Sequence, residues 1–507
     1  MHKIIKFDYL SNLKKKLRIK KKKIVLCHGT FDLLHIGHLK HFNSAKKYAD
    51  VLIVSITSDK YVLKGPGRPL FNETNRALYL SNLSMIDYVV INDSVTSINL
   101  INKLKPDFYC KGPDYKQNEL DITGNINKEI IAIKKNKGKI VYTDDEIFSS
   151  SKLINFNNLN SESLDPKNLN QMKNKIDTNS IINKINDLQK LKVLVIGELI
   201  IDEYNFVEPV GKSGKEINLV VHETFKEKYL GGIGAIANHV SSFVKEVNII
   251  SCIGDQDSQL NFIKSKISSN IKLNLTVKEN SPTISKKRFI DEVSKNKILG
   301  VYKMNDSDLN INNEKQVIKK IDKIIKNYDL VILADYGHGI ITKKIAKIIC
   351  QKSNYLSVNS QNNASNFGFQ NLHKFKNFNL LILNEGEIRL NFRDKKSSLE
   401  SLSKKLIKNL NVKKTIITSG KDGSMIINNT KVKKTSKSKA FASNIVDKVG
   451  SGDAMLAIAS LCDKMKMNED EILLISSLAA AQKIGTMGNK TKLNKLDLIK
   501  SVYYTLK

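Results

Sequence analysis

The sequence contains no tryptophan, and only 7 of its 507 residues are proline. No apolar run approaches the ~18 residues that a membrane-spanning helix needs. The first segment, residues 1–23, is too rich in charge to serve as the apolar core of a secretory signal. We therefore expect a cytoplasmic protein that has no membrane partner.

Cysteine is also scarce: its 5 residues are widely separated and contain no Cys-x-x-Cys pair. An odd number without metal-type spacing excludes a disulfide framework and indicates free thiols in a reducing compartment. Cys27 and Cys110 lie in apolar, strand-like runs. We interpret them as small buried side chains rather than as nucleophiles.

Acidic residues are few, since 50 Asp and Glu stand against 83 Lys and Arg, for a formal net charge of +33. Such a charge often marks a nucleic-acid-binding protein. Here the lysines are spread along the whole chain and form no recognisable binding module. We expect a solvated, lysine-rich surface that attracts small phosphorylated substrates, and no nucleic-acid partner. Tight, salt-sensitive binding to duplex or RNA would support the alternative.

The length of 507 residues exceeds that of one ordinary core, because cores stop growing at about 250–300 residues. Short apolar runs alternate with amphipathic segments in both halves of the chain, which predicts two doubly wound α/β domains with parallel sheets. The runs predicted as strands are 24–27, 51–57, 88–91, 107–110, 139–143, 192–196, 248–252, 330–334, 355–358, 380–383 and 415–418.

A shift in composition separates the two halves. Residues 156–190, rich in Asn, Ser, Lys and Asp, are the predicted linker between a domain over residues 1–155 and a domain over residues 191–507. Within the second domain, the alternating, glycine-containing stretch over residues 202–229 predicts a small β-lid.

The first predicted strand runs into the segment His28-Gly29-Thr30-Phe31-Asp32-Leu33-Leu34-His35-Ile36-Gly37-His38. Gly29 suits a tight turn, and a helix is predicted to begin near the two last histidines. Imidazoles three positions apart share one helix face, where both can donate hydrogen bonds to phosphate oxygens. The backbone N–H groups of a helix start also favour an anion. The segment therefore predicts a cradle for a nucleoside triphosphate, with His35 and His38 catalytic and Gly29, Thr30 and Phe31 binding; a merely polar strand-to-helix turn is the alternative.

This segment resembles the GxFDxxHxGH signature of the nucleotidyltransferase superfamily, which includes cytidylyltransferases and heptose-phosphate adenylyltransferases. The likeness covers nearly all of residues 24–155 and extends to Leu63-Lys64-Gly65, Asn75-Arg76 and Lys111-Gly112-Pro113-Asp114-Tyr115. It implies a Rossmann-like domain that uses ATP, with CTP as the alternative donor. It assigns Lys64 a catalytic role and the binding of the nucleotide or its phosphates to Arg76, Gly112, Asp114, Ser149, Ser150 and Ser151.

Two glycine-containing runs mark the second domain. Gly231-Gly232-Ile233-Gly234 opens a predicted helix with small residues, which permits close approach of a ligand. In Gly450-Ser451-Gly452-Asp453, backbone N–H groups at a helix start can form an anion hole, and Asp453 can accept the proton of an attacking hydroxyl. A helix-capping Asp is the alternative interpretation of Asp453.

Over about residues 191–488, these runs in this order resemble the ribokinase family of carbohydrate kinases. The resemblance implies a kinase with Asp453 as catalytic base and Gly450, Ser451 and Gly452 around a phosphate. Asn384 and Glu387 would hold Mg²⁺ through water, and Gly420 and Gly423 would lie near the nucleotide. The implied sugar-binding residues are Asp202, Gly231, Gly232, Asn238, Lys286 and Arg288.

Two segments depart from the pattern of heptose kinases. Asp335-Tyr336-Gly337-His338-Gly339 replaces Asp-Tyr-Ala-Lys-Gly, and Asn359-Ser360-Gln361 replaces Asp-Pro-Lys. These losses leave open whether the kinase takes heptose 7-phosphate or another sugar, and whether its activity is weakened.

Together the halves resemble the bifunctional heptose-phosphate kinase and adenylyltransferase enzymes, although there the kinase comes first. The resemblance implies a homodimeric enzyme that makes a nucleotide-activated, heptose-like sugar for lipopolysaccharide or capsule. Its substrates would be a sugar phosphate and a nucleoside triphosphate, with Mg²⁺ as cofactor. The alternative is a nucleotidyltransferase whose second domain only binds sugar or regulates.

Overall fold

The computed structural model describes residues 3–62, 64–65, 68–113, 125–143, 176–214, 216, 218–429, 435–442 and 446–506. The chain divides into two compact units, one of Met1–Ser161 with Tyr503–Lys507 and one of Glu162–Val502. Most of the predicted linker lies outside the described residues. Its last part, from residue 176, contains a helix in which Ile181 and Ile185 are fully buried.

The first unit is built on a parallel sheet with strand order β1-β4-β3-β2-β5-β6. Its strands are β1 (Ile4–Ile5), β2 (Ile24–Gly29), β3 (Val51–Thr57), β4 (Tyr88–Asn92), β5 (Phe108–Lys111) and β6 (Lys139–Tyr142). Its described helices are α1 (Leu10–Ile19), α2 (Ile36–Lys46), α3 (Glu73–Ser81), α4 (Ile98–Leu104) and α5 (Asn125–Lys135). The structure confirms the predicted Rossmann-like α/β class.

Helices cover both faces of this sheet, which explains why the central strand β3 does not alternate between buried and exposed residues. All seven residues of β3 are buried. Successive residues point to opposite faces, so Leu26 and Ile53 join one apolar cluster while Val25 and Leu52 join the other.

The second unit contains a larger sheet with strand order β11-β10-β7-β14-β15-β16-β17-β18-β19, parallel except at β18 and β19. Its strands are β7 (Lys192–Gly197), β10 (Glu246–Gly254), β11 (Ile271–Lys278), β14 (Leu330–Asp335), β15 (Leu356–Ser360), β16 (Leu380–Asn384), β17 (Lys414–Thr418), β18 (Ser424–Asn428) and β19 (Thr435–Ser438). Its described helices are α6 (Thr178–Asp187), α7 (Ile233–Ser241), α8 (Leu260–Lys266), α9 (Ile311–Ile324), α10 (Lys343–Lys352), α11 (Glu385–Phe392), α12 (Leu399–Leu410), α13 (Ser451–Lys464), α14 (Glu469–Ile484) and α15 (Lys495–Leu506), whose residues from Tyr503 onward belong to the first unit. None of the described helices has the length and apolarity needed to cross a bilayer.

A separate sheet with strand order β13-β12-β8-β9 forms the predicted lid. Its strands are β8 (Leu199–Lys212), β9 (Leu219–Gly232), β12 (Ser285–Asp291) and β13 (Lys297–Lys303). The glycine-containing stretch predicted β8 and β9. It did not predict β12 and β13, because β12 begins with four polar residues and β13 is exposed along its whole length.

Each parallel sheet reverses its winding direction beside its first long strand, at β2 and β5 in the first unit and at β7 and β14 in the second. Ligands of doubly wound folds bind at the carboxyl ends of strands at such a reversal. The fold therefore brings the ends of these strands to the edge where the predicted site residues lie.

We expect Phe42→Ala to destabilise the first unit by about 3–5 kcal/mol, because Phe42 is fully buried in its core and truncation leaves a cavity. Denaturant unfolding followed by circular dichroism measures the loss. Tyr79→Ala, at a position 66% exposed in the same unit, is the matched control and should change little. Equal destabilisation by the two substitutions would contradict this packing.

Candidate active sites of the two units

In the first unit, the two predicted histidines meet at the start of α2. His35 Nδ1 accepts a hydrogen bond from the backbone N–H of Gly37 (3.2 Å), and His38 Nδ1 accepts one from the backbone N–H of His35 (3.4 Å). The rings stack with centroids 3.9 Å apart. Because both Nδ1 atoms accept, each neutral imidazole carries its proton on Nε2. The pair can therefore offer two N–H donors on one face.

Both imidazoles are held neutral. Burial lowers the pKa of His35. Burial, followed by the positive charges of His35, His41 and Lys64, lowers the pKa of His38 to about 3. The catalytic role of Lys64 that the resemblance implies stays a prediction.

The loop that follows β2 is fixed by charged side chains. Asp32 is 3% exposed, pairs with Arg68 (2.7 Å) and accepts the backbone N–H of Leu70 (2.6 Å). Phe31 takes a left-handed conformation, with φ of 47°. Its ring lies against Gly29, where a Cβ would approach it to 3.0 Å. The glycine therefore allows this turn to close.

Arg76 lies beneath the loop and is 2% exposed. Its guanidinium donates to the carbonyls of Thr30 (2.6 Å), Thr57 (2.8 Å) and Phe71 (2.9 Å) and pairs with Asp59. In this arrangement Arg76 ties the ends of β2 and β3 together. Its predicted contact with phosphate stays a prediction.

The other nucleotide residues predicted in this unit are only partly described. Gly112 follows β5 at the same edge as Gly29, and open space surrounds the position of a Cβ there. Asp114, Ser149, Ser150 and Ser151 lie outside the described residues.

A buried ionic network at the end of β5 was not predicted from the sequence. Lys111 pairs with Glu129 (3.3 Å), which also accepts hydrogen bonds from Tyr109 Oη (2.9 Å) and Ser97 Oγ (2.8 Å). Burial alone would raise the pKa of Glu129. The charges of Lys111 and His28 and the hydrogen bonds from Ser97 overcome it and lower that pKa to about 2. The partners come from three elements distant in sequence, so no local pattern could have found them.

The side chains of Cys27, Cys110 and His41 also converge, with candidate ligand atoms within 4.8 Å of one another. Cys27 and Cys110 are register partners on β2 and β5. Burial raises the pKa of the Cys27 thiol well above its usual range. A thiol held protonated in an apolar core suits the predicted packing role better than metal binding.

In the second unit, Asp453 lies in the first turn of α13. Its Oδ1 accepts a hydrogen bond from Tyr336 Oη (2.8 Å). Burial raises the pKa of Asp453 to about 6, with Tyr336 acting in the opposite direction and the charge of Asp202 adding to the rise. An ionised carboxylate with a pKa just below neutrality suits a general base.

The turn before Asp453 requires glycine. Gly450 has φ of 87°, and a Cβ there would approach Asn489 Oδ1 to 2.3 Å. At Gly452 the space for a Cβ is open. Gly452 also lines a cavity of about 140 Å³ together with Ser451, Gly420 and Gly423. The structure thus brings these four predicted nucleotide residues to one place.

The predicted sugar residues gather where the lid strands β8 and β12 run side by side. Asp202 pairs with Arg288 (2.6 Å), and Lys286 is the register partner of Asp202. A Cβ at Gly231 would lie 2.1 Å from Asp202 Oδ2. Gly231 therefore leaves room for this carboxylate, and at Gly232, with φ of 54°, a Cβ would meet the carbonyl of Glu198 at 2.4 Å.

Asn238 does not join this group. Its amide donates to the carbonyl of Lys266 (3.0 Å), and its carbonyl accepts from Ser268 N and Oγ (3.1 Å each). It lines a different cavity, of about 550 Å³. Its role in sugar binding stays a prediction.

Asn384 and Glu387 form a reciprocal cap at the start of α11. Asn384 Oδ1 accepts from the backbone N–H of Glu387 (2.8 Å), and Glu387 Oε2 accepts from that of Asn384 (2.8 Å). Glu387 is 4% exposed, and burial raises its pKa to about 7. A nearby cation would favour the ionised form. This chemistry fits Mg²⁺ held through water, because the carboxylate oxygens already accept backbone N–H groups.

The sequence motifs included Glu198 and Asp335, but sequence reasoning assigned them no role in supporting the base. Asp335 ends β14 and pairs with Lys374 (2.6 Å). Glu198, fully buried after β7, accepts the backbone N–H groups of Tyr336 (2.9 Å) and His338 (3.3 Å). Their positions at the carboxyl ends of neighbouring strands were the available signal.

Two family models match the chain, one in each unit. Residues 190–496 match the model of the pfkB family carbohydrate kinases, and residues 26–156 match the cytidylyltransferase-like model. Bifunctional protein HldE of Campylobacter concisus is 46% identical over 121 residues, which are 24% of this chain and 25% of that protein. The same-named protein of Helicobacter pylori strain P12 is 42% identical over 134 residues, 26% of this chain and 27% of that protein. The chain thus spans only about a quarter of the length of these curated relatives.

Solved structures show the fold of the second unit. Phosphofructokinase-2 from Escherichia coli in complex with potassium superposes with a TM-score of 0.51 at 14% identity, covering 63% of this chain and 99% of that one. The same enzyme in complex with substrates and products gives a TM-score of 0.50 at 14% identity, with 63% and 100% covered. At this identity the likeness establishes the architecture alone.

We expect Glu129→Gln to destabilise the first unit by about 3–5 kcal/mol at pH 7, because it leaves Lys111 buried without its counter-charge. The folded pKa of Glu129, about 2, lies below the ordinary value of 4.5, so its stabilising contribution is present above pH 4.5 and is lost as the pH falls towards 2. Denaturant unfolding at pH 7 and at pH 3 measures both effects. The variant should lack this part of the pH dependence, and Asp8→Asn, at an exposed ion pair, is the control. A variant as stable as the control would contradict the role of the network.

Proposed function

The chain belongs to the pfkB family of carbohydrate kinases, and from this premise we propose that it is a bifunctional enzyme. The second unit phosphorylates a sugar or sugar phosphate, and the first transfers a nucleotidyl group onto a sugar phosphate. The observation that carries the proposal is Asp453, half-buried at the glycine turn that opens α13, hydrogen-bonded to Tyr336 and holding a pKa of about 6.

In the kinase step, Asp453 accepts the proton of the attacking sugar hydroxyl. The hydroxyl oxygen forms a bond to the γ-phosphorus of ATP, and the bond from that phosphorus to the β,γ-bridging oxygen breaks to release ADP. Backbone N–H groups of the turn at Gly450 and Gly452 stabilise the charge on the transferring group. Mg²⁺, held through water by Asn384 and Glu387, would neutralise phosphate charge when bound.

In the transferase step, a phosphate oxygen of the sugar phosphate attacks the α-phosphorus of the nucleoside triphosphate and pyrophosphate leaves. The Nε2–H groups of His35 and His38 donate to phosphate oxygens, and Lys64 adds positive charge beside them. No protein nucleophile is needed. ATP is the proposed donor, with CTP as the alternative.

For the substrate we propose a heptose-like sugar that is activated for lipopolysaccharide or capsule. The 46% identity of the matched segment to a bifunctional relative supports this choice.

We propose one domain over residues 1–155 and another over residues 191–507, joined by a linker over residues 156–190. Their order is opposite to that of the heptose enzymes. A transferase whose kinase-like unit only binds sugar is the second candidate, favoured by His338 and Asn359 where heptose kinases carry Lys and Asp.

The proposed enzyme works in the cytoplasm as a homodimer and binds no nucleic acid. The net charge of +33 then serves phosphorylated substrates. Sedimentation velocity of the full chain, alone and with duplex DNA, tests the last two statements.

We expect Asp453→Asn to lower the rate of ADP formation by about 10²–10⁴, because it removes the general base. Pyrophosphate release by the first unit should be unchanged. In the wild type, kcat/KM of the kinase should fall about tenfold per pH unit below pH 6, where Asp453 becomes protonated. The measurement is a coupled assay with heptose and hexose phosphates, and Asp322→Asn, at an exposed position, is the control. Wild-type protein that forms no ADP with any sugar would favour the second candidate.

We expect replacement of His35 and His38 together by Ala to lower pyrophosphate release by at least about 10²–10³, because the transition state loses both N–H donors. ADP formation by the second unit should persist. His222→Ala, on the exposed surface of β9, is the control. Pyrophosphate release that survives the double substitution would refute the assignment of this site.

A further inference from the structure

Lys483, near the end of α14, is a buried cation that belongs to none of the sequence motifs. It is 2% exposed. Among the described residues, its Nζ donates only to the carbonyl of Thr491 (3.0 Å) and to Thr486 Oγ1 (3.4 Å), and neither partner is acidic. A buried ammonium without a counter-charge is costly, whereas methionine would fill the same space as an uncharged side chain. Packing alone therefore does not account for a lysine at this position.

The lysine lies directly against the glycine turn that opens α13. A Cβ at Gly450 would lie 3.2 Å from Cε of Lys483, so the turn packs on the lysine stem. Asp447, which precedes the turn, accepts the backbone N–H of Gly488 (3.1 Å). Lys483 holds the same segment further on, at the carbonyl of Thr491. The turn and the segment that follows α14 are thus fastened to each other on both sides of this lysine.

The charge of Lys483 acts on the reacting groups. Burial lowers the pKa of Lys483 to about 8, against the charges of Asp447 and Asp453, which act to raise it. Asp447 pairs with Lys297 (2.7 Å), and Asp453 is the proposed base. On α7, burial followed by the charge of Lys483 lowers the pKa of His239 to about 3, so that this imidazole is neutral. The ammonium of Lys483 is therefore present at neutral pH and is lost as the pH rises through 8.

Two other lysines of the segment after α14 do not share this position. Lys490 pairs with Glu227 (2.8 Å), Lys492 donates to Ser268 Oγ (2.9 Å), and both lysines are exposed. Solvent and salt screen charges at exposed positions far more than buried ones. The fixed positive charge beside the turn is therefore that of Lys483.

We propose that Lys483 is a positioning residue of the kinase, whose ammonium holds the turn at residues 450–452 in shape and adds a fixed positive charge behind the N–H groups that receive the transferring phosphoryl group. This inference rests on the proposed kinase function. Where water is excluded, a fixed charge stabilises developing negative charge more strongly than it does in water. The same charge favours the ionised form of Asp453, which is the form that accepts a proton.

The test compares two substitutions in the full chain. Lys483→Met removes the charge and keeps an unbranched side chain, and Lys483→Arg keeps a charge that does not titrate below pH 12. ADP formed from ATP with heptose and hexose phosphates is quantified by chromatography between about pH 5 and pH 10. We expect Lys483→Met to lower kcat about 10–100-fold, with the KM for the sugar phosphate little changed.

The pH profile separates a role of the charge from a structural role. Wild-type kcat should fall above pH 8, where Lys483 loses its proton, and Lys483→Arg should keep its rate there. In Lys483→Met the acid limb set by Asp453 should move to higher pH, because loss of the positive charge raises the pKa of that carboxyl. Lys347→Met, at an exposed position of α10, is the matched control and should match the wild type.

Thermal unfolding of the full chain, followed by calorimetry, tests the buried charge without turnover. The folded pKa of Lys483, about 8, lies below the ordinary value of 10.5. Below pH 8 the lysine is charged in both states, and its burial opposes folding. Between pH 8 and 10.5 the folded state loses the proton first, so the wild type should gain stability relative to Lys483→Met. Equal pH dependence in the two proteins would overturn the proposal.

Two kinetic outcomes would overturn it as well. One is an unchanged kcat in Lys483→Met; the other is a loss of rate that leaves both limbs of the pH profile in place, as a purely structural lysine would produce. Either result, with wild-type protein that forms ADP, would leave the proposed kinase intact. Wild-type protein that forms no ADP with any sugar would refute the kinase itself, and the role of Lys483 with it.

Discussion

A polar side chain at the carboxyl end of a buried parallel strand must find its partner inside the protein, because helices on both faces of the sheet exclude water. Asp335 at the end of β14 meets this requirement through Lys374, and Lys111 at the end of β5 meets it through Glu129. Each pair anchors the edge where its unit gathers the predicted site residues. Loss of one partner would leave a buried charge unpaired, which is among the most costly changes that a fold can suffer.

The same exclusion of water prepares the reactive groups. Burial raises the pKa of Asp453 to about 6 and lowers that of His38 to about 3. The first shift gives a carboxylate that is ionised at neutral pH and yet basic enough to take a proton. The second gives a neutral imidazole. Because its Nδ1 accepts a backbone N–H, its proton lies on Nε2, which can donate to a ligand. Burial thus raises the pKa of the acid in one unit and lowers the pKa of the imidazole in the other, and each shift suits the proposed role.

Two glycines leave the space that these functional groups need. Gly450 turns the chain into α13 through a positive φ, and Gly231 makes room for the carboxylate of Asp202. In both cases a methyl group would collide with a neighbouring side chain. The glycines are therefore positional requirements, and the functional groups they serve lie on helices and strands rather than on the turns themselves.

The sequence alone determined the two α/β units, most strand positions, the stacked pair His35 and His38, and Asp453 in the first turn of a helix. These features are local: they depend on apolar periodicity, on residues three apart in a helix, or on glycines next to a helix start. Only the tertiary structure decided that Arg76 ties two strands together, that Asn238 faces Ser268, and that β12 and β13 complete the lid. It also joined Glu129 to Lys111 and left both ring nitrogens of buried His338 without a hydrogen-bond partner among the described residues. Those outcomes depend on contacts between residues distant in sequence, and one chain carries no local pattern that records which distant charges share a buried space.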